Sequence, residues 1–101
     1  MALRIAFSVE SQRDVDEALE FISADNLSAA TAVALRIEKS LRLLAERPYM
    51  GHPAPETKQA GMRRMSVPPY IFFYRIGDDA IQIARVLHSS RFLEDESLFR
   101  N

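Results

Sequence analysis

Between Thr57 and Gly77 the chain carries four cations, Lys58, Arg63, Arg64 and Arg75, and no acid. A stretch so one-signed suits phosphates or an acidic partner surface, because guanidinium groups offer several N–H donors and hold their charge across the physiological pH range. Arg63 and Arg64 are neighbours on an expected strand and so point to opposite sides, which leaves at most one of them for any given surface. Further on come Arg85, His88 and Arg91. The imidazole of His88 titrates in the range that suits proton transfer, although a histidine at the end of an apolar strand is more commonly just hydrogen-bonded. Arg91 faces a similar choice between a partner and the nearby acids Glu94 and Asp95, in pairs worth less than about 1 kcal/mol at a surface. The candidate binding residues are therefore Arg63, Arg64, Arg75, Arg85, His88 and Arg91.

Other chemistry is thin. With no cysteine, disulfides and thiolate metal sites are excluded, and His52 and His88 cannot build a metal cage without carboxylate help. Neither a metal nor a cofactor is expected, nor a small-molecule substrate. Tyr70, Phe72, Phe73 and Tyr74 offer stacking surfaces for RNA bases, but an aromatic run at strand spacing belongs more often to a core, and core is the reading adopted.

The positioning elements can be read from periodicity. Leu3, Ile5 and Phe7 alternate with Arg4, Ala6 and Ser8 as in a strand with one buried face. Ser11 and Asp14 stand at the spacing of a capping box, and Val15, Ala18, Leu19 and Ile22 continue as one apolar helical stripe ending near Asp25. A tight connection with an N-cap at Ser28 opens a longer helix striped by Ala30, Val33, Ala34, Ile37, Leu41 and Leu44, which Pro48 stops. Residues 49–61, with Gly51, Pro53, Pro55 and Gly61, read as an extended surface loop. Three β-rich runs follow, 62–67, 70–76 and 80–88, divided by Pro68-Pro69 and by Gly77-Asp78-Asp79. A short C-terminal helix is expected in the tail, whose Phe92, Leu93, Leu98 and Phe99 either pack back on the sheet or leave a groove for a partner segment.

At 101 residues, 48% hydrophobic and 27% charged, the chain has room for one domain (1–101) with one core and too much apolar material for disorder. No run is long and apolar enough for a bilayer, and the N-terminus lacks a secretory core, so a cytoplasmic protein without membrane contact is expected. Net charge is −1, but residues 10–25 hold six acids against Arg13 alone, the reverse of the cationic stretch. The element order implies an α+β fold: an N-terminal strand, an antiparallel helical hairpin, then three antiparallel strands forming a small sheet with the helices on one face. The other face is expected to carry Arg63 or Arg64, Arg75 and Arg85 as a concave basic surface.

Four segments resemble the RelE/ParE toxins of type II toxin–antitoxin systems: Asn26-Leu-Ser-Ala-Ala30; Leu44-Ala-Glu-Arg-Pro48-Tyr-Met-Gly51; Gly61-Met-Arg-Arg-Met-Ser-Val with Tyr70 and Tyr74; and Arg85-Val-Leu-His-Ser-Ser-Arg91. Leu27 departs from the proline of many relatives. The resemblance implies a toxin that inhibits growth, a cognate antitoxin whose C-terminal segment wraps it, and one of two activities. Messenger-RNA cleavers working on the ribosome set basic residues across the sheet. Here Arg64 and Arg91 match such positions and His88 is the candidate base, but Ile71 and Ser97 stand where an arginine and a tyrosine are usual. The ParE-like branch, associated with plasmid stabilisation, binds DNA gyrase without a catalytic residue, and Arg85-Val-Leu-His-Ser-Ser-Arg91 resembles it better. The expectation is a gyrase-binding toxin, with a ribosome-dependent endoribonuclease as the alternative.

Overall fold

A computed structural model describes residues 2–94, and for 92–94 the backbone alone. In chain order the elements are β1 (Arg4–Phe7), α1 (Val9–Asp25), α2 (Leu27–Glu46), β2 (His52–Pro53), β3 (Arg63–Val67), β4 (Tyr70–Ile76), β5 (Ala80–His88) and α3 (Ser89–Glu94). The sheet runs β1-β5-β4-β3-β2, with β1 parallel to β5 and the other pairs antiparallel. The α+β order and the helical hairpin on one side are as the sequence implies. The expected three-stranded sheet is its centre, widened by β1 at one edge and by the two residues of β2 at the other.

Both helices bury the stripes that periodicity marks. Val15, Ala18, Leu19 and Ile22 of α1, with Val33, Ile37, Leu41 and Leu44 of α2, pack on Met65, Val67, Tyr70, Phe72, Tyr74, Ile81, Ile83 and Val86. Tyr70, Phe72, Phe73 and Tyr74 are all buried, so the aromatic run is core. On the opposite face Phe73 and Leu87 join Ala54 and Met62 from the segment before β3 in a second, smaller cluster.

Two helix starts differ from expectation. Helix α1 begins earlier, capped by Ser8, whose Oγ accepts from the Ser11 N–H at 3.0 Å. Ser11 therefore sits inside the first turn, fully buried. The connection to α2 is shorter than expected, because Asn26 alone ends one helix and caps the next, its side chain accepting from the Ala29 N–H at 3.0 Å. Either Asn or Ser suits an N-cap, and the first available one is used.

The early start of α1 has a structural cause. Strand β1 pairs only with residues 80–83 of β5, so the rest of that edge of β5 needs other partners. The first turns of α1 supply them. Ser8 donates its N–H to the Ile83 carbonyl at 3.0 Å and its hydroxyl to the Ala84 carbonyl at 2.9 Å, and the Ser11 hydroxyl reaches the Ile83 carbonyl at 2.8 Å. One turn on, Asp14 accepts from the Val86 N–H at 2.9 Å. Ser8, through both its N–H and its hydroxyl, and Ser11 and Asp14, through their side chains, thus take over along β5 where β1 ends.

Candidate functional site

Strand β5 is irregular where it carries the candidate Arg85. Tyr74 pairs with Ile83 and Phe73 with Arg85, so Ala84 is the extra residue of a bulge. At this step the Arg85 side chain turns to α1 and forms a two-pronged pair with Asp14, Nε to Oδ2 at 2.8 Å and the terminal nitrogen to Oδ1 at 3.1 Å. Their side chains are only 20% and 9% exposed. The hydrogen bonds that Arg85 donates to Asp14 raise the guanidinium's pKa against the opposing effect of burial, with the charges of Asp14 and Glu10 adding to the rise. Arg85 is therefore a clasp between sheet and helix and no part of an open basic surface.

The remaining arginines go separate ways. Arg64 pairs across β3 and β4 with Phe73, on the side away from the helices, and meets Glu56 at 2.8 Å with both side chains well exposed. Arg75 donates to the Ala60 carbonyl at 3.0 Å and to the Gln59 side-chain oxygen at 2.7 Å. Arg63 lies opposite the core residue Tyr74 and reaches back under the loop after α2, where it donates to the carbonyls of Tyr49 and Gly51 at 3.3 and 2.8 Å. His88, exposed at the end of β5, has its ring edge-on to Tyr70 with centroids 5.8 Å apart, and its Nδ1 is bonded to Ser90. It shares a cleft of about 410 Å³ with Asp14, Glu17, Phe21 and Arg91. Arg91 is exposed on α3.

His88 and Arg91 are thus brought together, while Arg64 is not with them. Along the paired strands Arg64 is level with Phe73 and Arg85, whereas His88 is level with Tyr70, three residues further on. The offset is roughly 10 Å along the strands and roughly 10 Å across them. In addition, Phe73 and Tyr70, the β4 partners of the two residues, belong to clusters on opposite faces of the sheet.

Two residues of this architecture are not among the candidates from sequence. Asp14 bonds to residues more than seventy positions away, a distance at which its local capping-box spacing is no guide. Tyr49 is 73% exposed, with the Arg63 guanidinium 5.0 Å from its ring centroid. Its sequence signal was an aromatic in a loop rich in Gly and Pro, which periodicity does not register. Among the described residues no group of acids and histidines could hold a metal ion, and no helix is long and apolar enough to cross a membrane.

The family described as the ParE toxin of type II toxin–antitoxin systems, parDE, matches residues 5–92. Toxin ParE1 of Caulobacter vibrioides is 38% identical over 61 residues, 60% of this chain and 62% of that protein. Toxin RelE2 of the same organism is 27% identical over 88 residues, 87% of this chain and 97% of that one. Among solved structures, a chain of the chromosomal ParDE system of P. aeruginosa superposes with a TM-score of 0.69 at 17% identity, covering 86% of this chain and 96% of that one, a likeness of fold.

Proposed function

Because the chain belongs to the family of ParE toxins of type II toxin–antitoxin systems, we propose that this toxin acts by binding DNA gyrase and that a cognate antitoxin holds it inactive. The observation that supports binding over RNA cleavage is the separation of Arg64 from His88 and Arg91. A ribose 2′-hydroxyl and the phosphate beside it need base and charge stabiliser within hydrogen-bond reach of one another's substrate atoms. Residues set off by roughly 10 Å in two directions do not serve one phosphodiester. On this reading no residue is catalytic, and the toxin works by preferring gyrase in its cleaved-DNA state. To turn a state from one per cent to ninety-nine per cent of the population takes a preference of about 10⁴-fold, which a protein-sized interface can supply. An antitoxin partner is supported by the two-component systems to which the relatives belong.

The test is a supercoiling assay with purified gyrase and relaxed plasmid. Added toxin is expected to halt supercoiling and to accumulate linear DNA after protein removal, and purified antitoxin is expected to reverse both. Undiminished supercoiling at large toxin excess would sink the reading. So would codon-positioned cuts in translated messenger RNA that disappear in His88→Ala.

A further inference from the structure

The backbone of the segment after α2 is tied to the sheet by hydrogen bonds, yet the segment displays its largest side chain to solvent. The Tyr74 hydroxyl donates to the Pro48 carbonyl at 2.9 Å, Arg63 donates to the carbonyls of Tyr49 and Gly51, and the Met50 N–H closes a turn on Arg47 at 3.0 Å. Tyr49, at the centre of these ties, is nonetheless 73% exposed, and Met50 beside it is 42% exposed. The fold thus fixes the backbone of an aromatic side chain that it leaves out of its own core. Tyrosine and arginine are over-represented at the energetic centres of protein interfaces, and a backbone already fixed leaves less conformational entropy to be lost on docking.

Beside the ring opens a cavity of about 500 Å³, lined by Tyr49, Pro53, Pro55, Met62, Arg63 and Ile76 among others. Its walls are largely apolar apart from Arg63 and Gln59, and the cation Arg75 lies against Gln59. Arg75 is bonded to Gln59 and Ala60 at the mouth, and Lys58 precedes them, exposed. The neighbouring acid, Glu56, is matched by Arg64 at 2.8 Å. A largely apolar socket with cations beside it fits a protein surface that offers an aliphatic or aromatic side chain flanked by acids, and it repels a basic one.

We propose that the Tyr49 pocket is the toxin's docking site for gyrase, and that it takes an apolar side chain from an acidic surface of that enzyme. The assignment rests on gyrase being the target. It draws on charge complementarity, since gyrase held on cleaved DNA presents the negative field of the phosphates in addition to that of its own acids.

Tyr49→Ala, Tyr49→Phe and Lys58→Glu, all at exposed positions, would be compared with the wild type in gyrase inhibition, in binding to purified antitoxin and in sedimentation. Tyr49→Ala is expected to raise the half-inhibitory concentration at least about tenfold. Tyr49→Phe should stay close to wild type, and Lys58→Glu should weaken inhibition most at low salt. Antitoxin affinity and sedimentation should not change, and circular dichroism should confirm that each variant folds. If the wild type inhibits gyrase and Tyr49→Ala does so equally well, the pocket is not the docking site. Lost antitoxin binding with inhibition retained would assign the pocket to the antitoxin, and a wild-type dimer that dissociates in Tyr49→Ala would assign it to a second copy; either overturns the proposal. A wild type that leaves gyrase untouched overturns the functional reading first, and this assignment with it.

Discussion

Replacing Asp14 by alanine should lower the melting temperature by roughly 15 °C, as expected for the loss of about 3 kcal/mol from a domain of this size. One carboxylate receives three hydrogen bonds here, two from the Arg85 guanidinium and one from the Val86 N–H. Removing it leaves a cation 20% exposed without its counter-charge and a backbone donor without an acceptor. Both penalties arise from desolvation, so the loss exceeds what the pair contributes relative to water. The comparison that isolates this is Asp14→Ala with Arg85→Met, in which no charge is left stranded. The double variant should recover a large part of the stability. Thermal melts of wild type, both single variants and the double variant test it, and an Asp14→Ala protein melting within a few degrees of wild type would refute the clasp. Alkali should not undo it. The pKa of Arg85 is raised above its already strongly basic value, so its share of the stability is complete below that ordinary value and fades only at still higher pH. Between pH 7 and 10 this group should cause no loss.

The clasp also marks where reading from sequence stops. Strands β4 and β5 lie at the expected residues, 70–76 and 80–88, because their apolar runs are bounded by Pro68-Pro69 and Gly77-Asp78-Asp79, which interrupt any ladder. The helix stripes were legible for a similar reason, since burial on one face imposes its period on the residues. The pairing of β1 was not, because nothing local says whether a four-residue strand joins the sheet next to β5 or next to β3. Ser11 and Asp14 show the consequence. Their spacing suits a capping box, yet both side chains turn to β5, an edge left free only because β1 is short. At two residues, β2 is too brief to show a period. As for the site, the arginines were identifiable as residues but their distribution was not. Arg85 goes to Asp14 of α1 and Arg64 to Glu56, each matched by a carboxylate, whereas Arg63 and Arg75 keep their charge beside neutral loop acceptors, so a common basic surface that includes Arg85 does not form. Phe92, Leu93, Leu98 and Phe99, expected to pack back on the sheet or to leave a groove for a partner segment, lie outside the described side chains.

Gly51 is where fold and proposed activity meet, and Gly51→Ala should be about as costly as loss of the clasp. A Cβ at this position would lie 2.4 Å from the Arg64 carbonyl oxygen and 2.6 Å from the Tyr74 hydroxyl. The first obstacle is backbone of a paired strand, and the second belongs to a fully buried ring whose hydroxyl is bonded to Pro48. Neither neighbour is the free end of a flexible side chain, so the loop itself has to shift. Overpacking of this kind costs about 3 kcal/mol, which corresponds to a melting temperature lower by roughly 15 °C. The direction of relief is also fixed. A loop displaced from β3 lengthens the Arg63 bonds to the Tyr49 and Gly51 carbonyls and carries the exposed Tyr49 ring away from its guanidinium. Gly51→Ala, measured well below its melting temperature, should therefore inhibit gyrase less than wild type even while fully folded. Asp14→Ala, whose damage lies at the other edge of β4 and β5, should keep its inhibition when folded. Equal inhibition by folded Gly51→Ala and wild type would show that the rigidity of this loop serves stability alone.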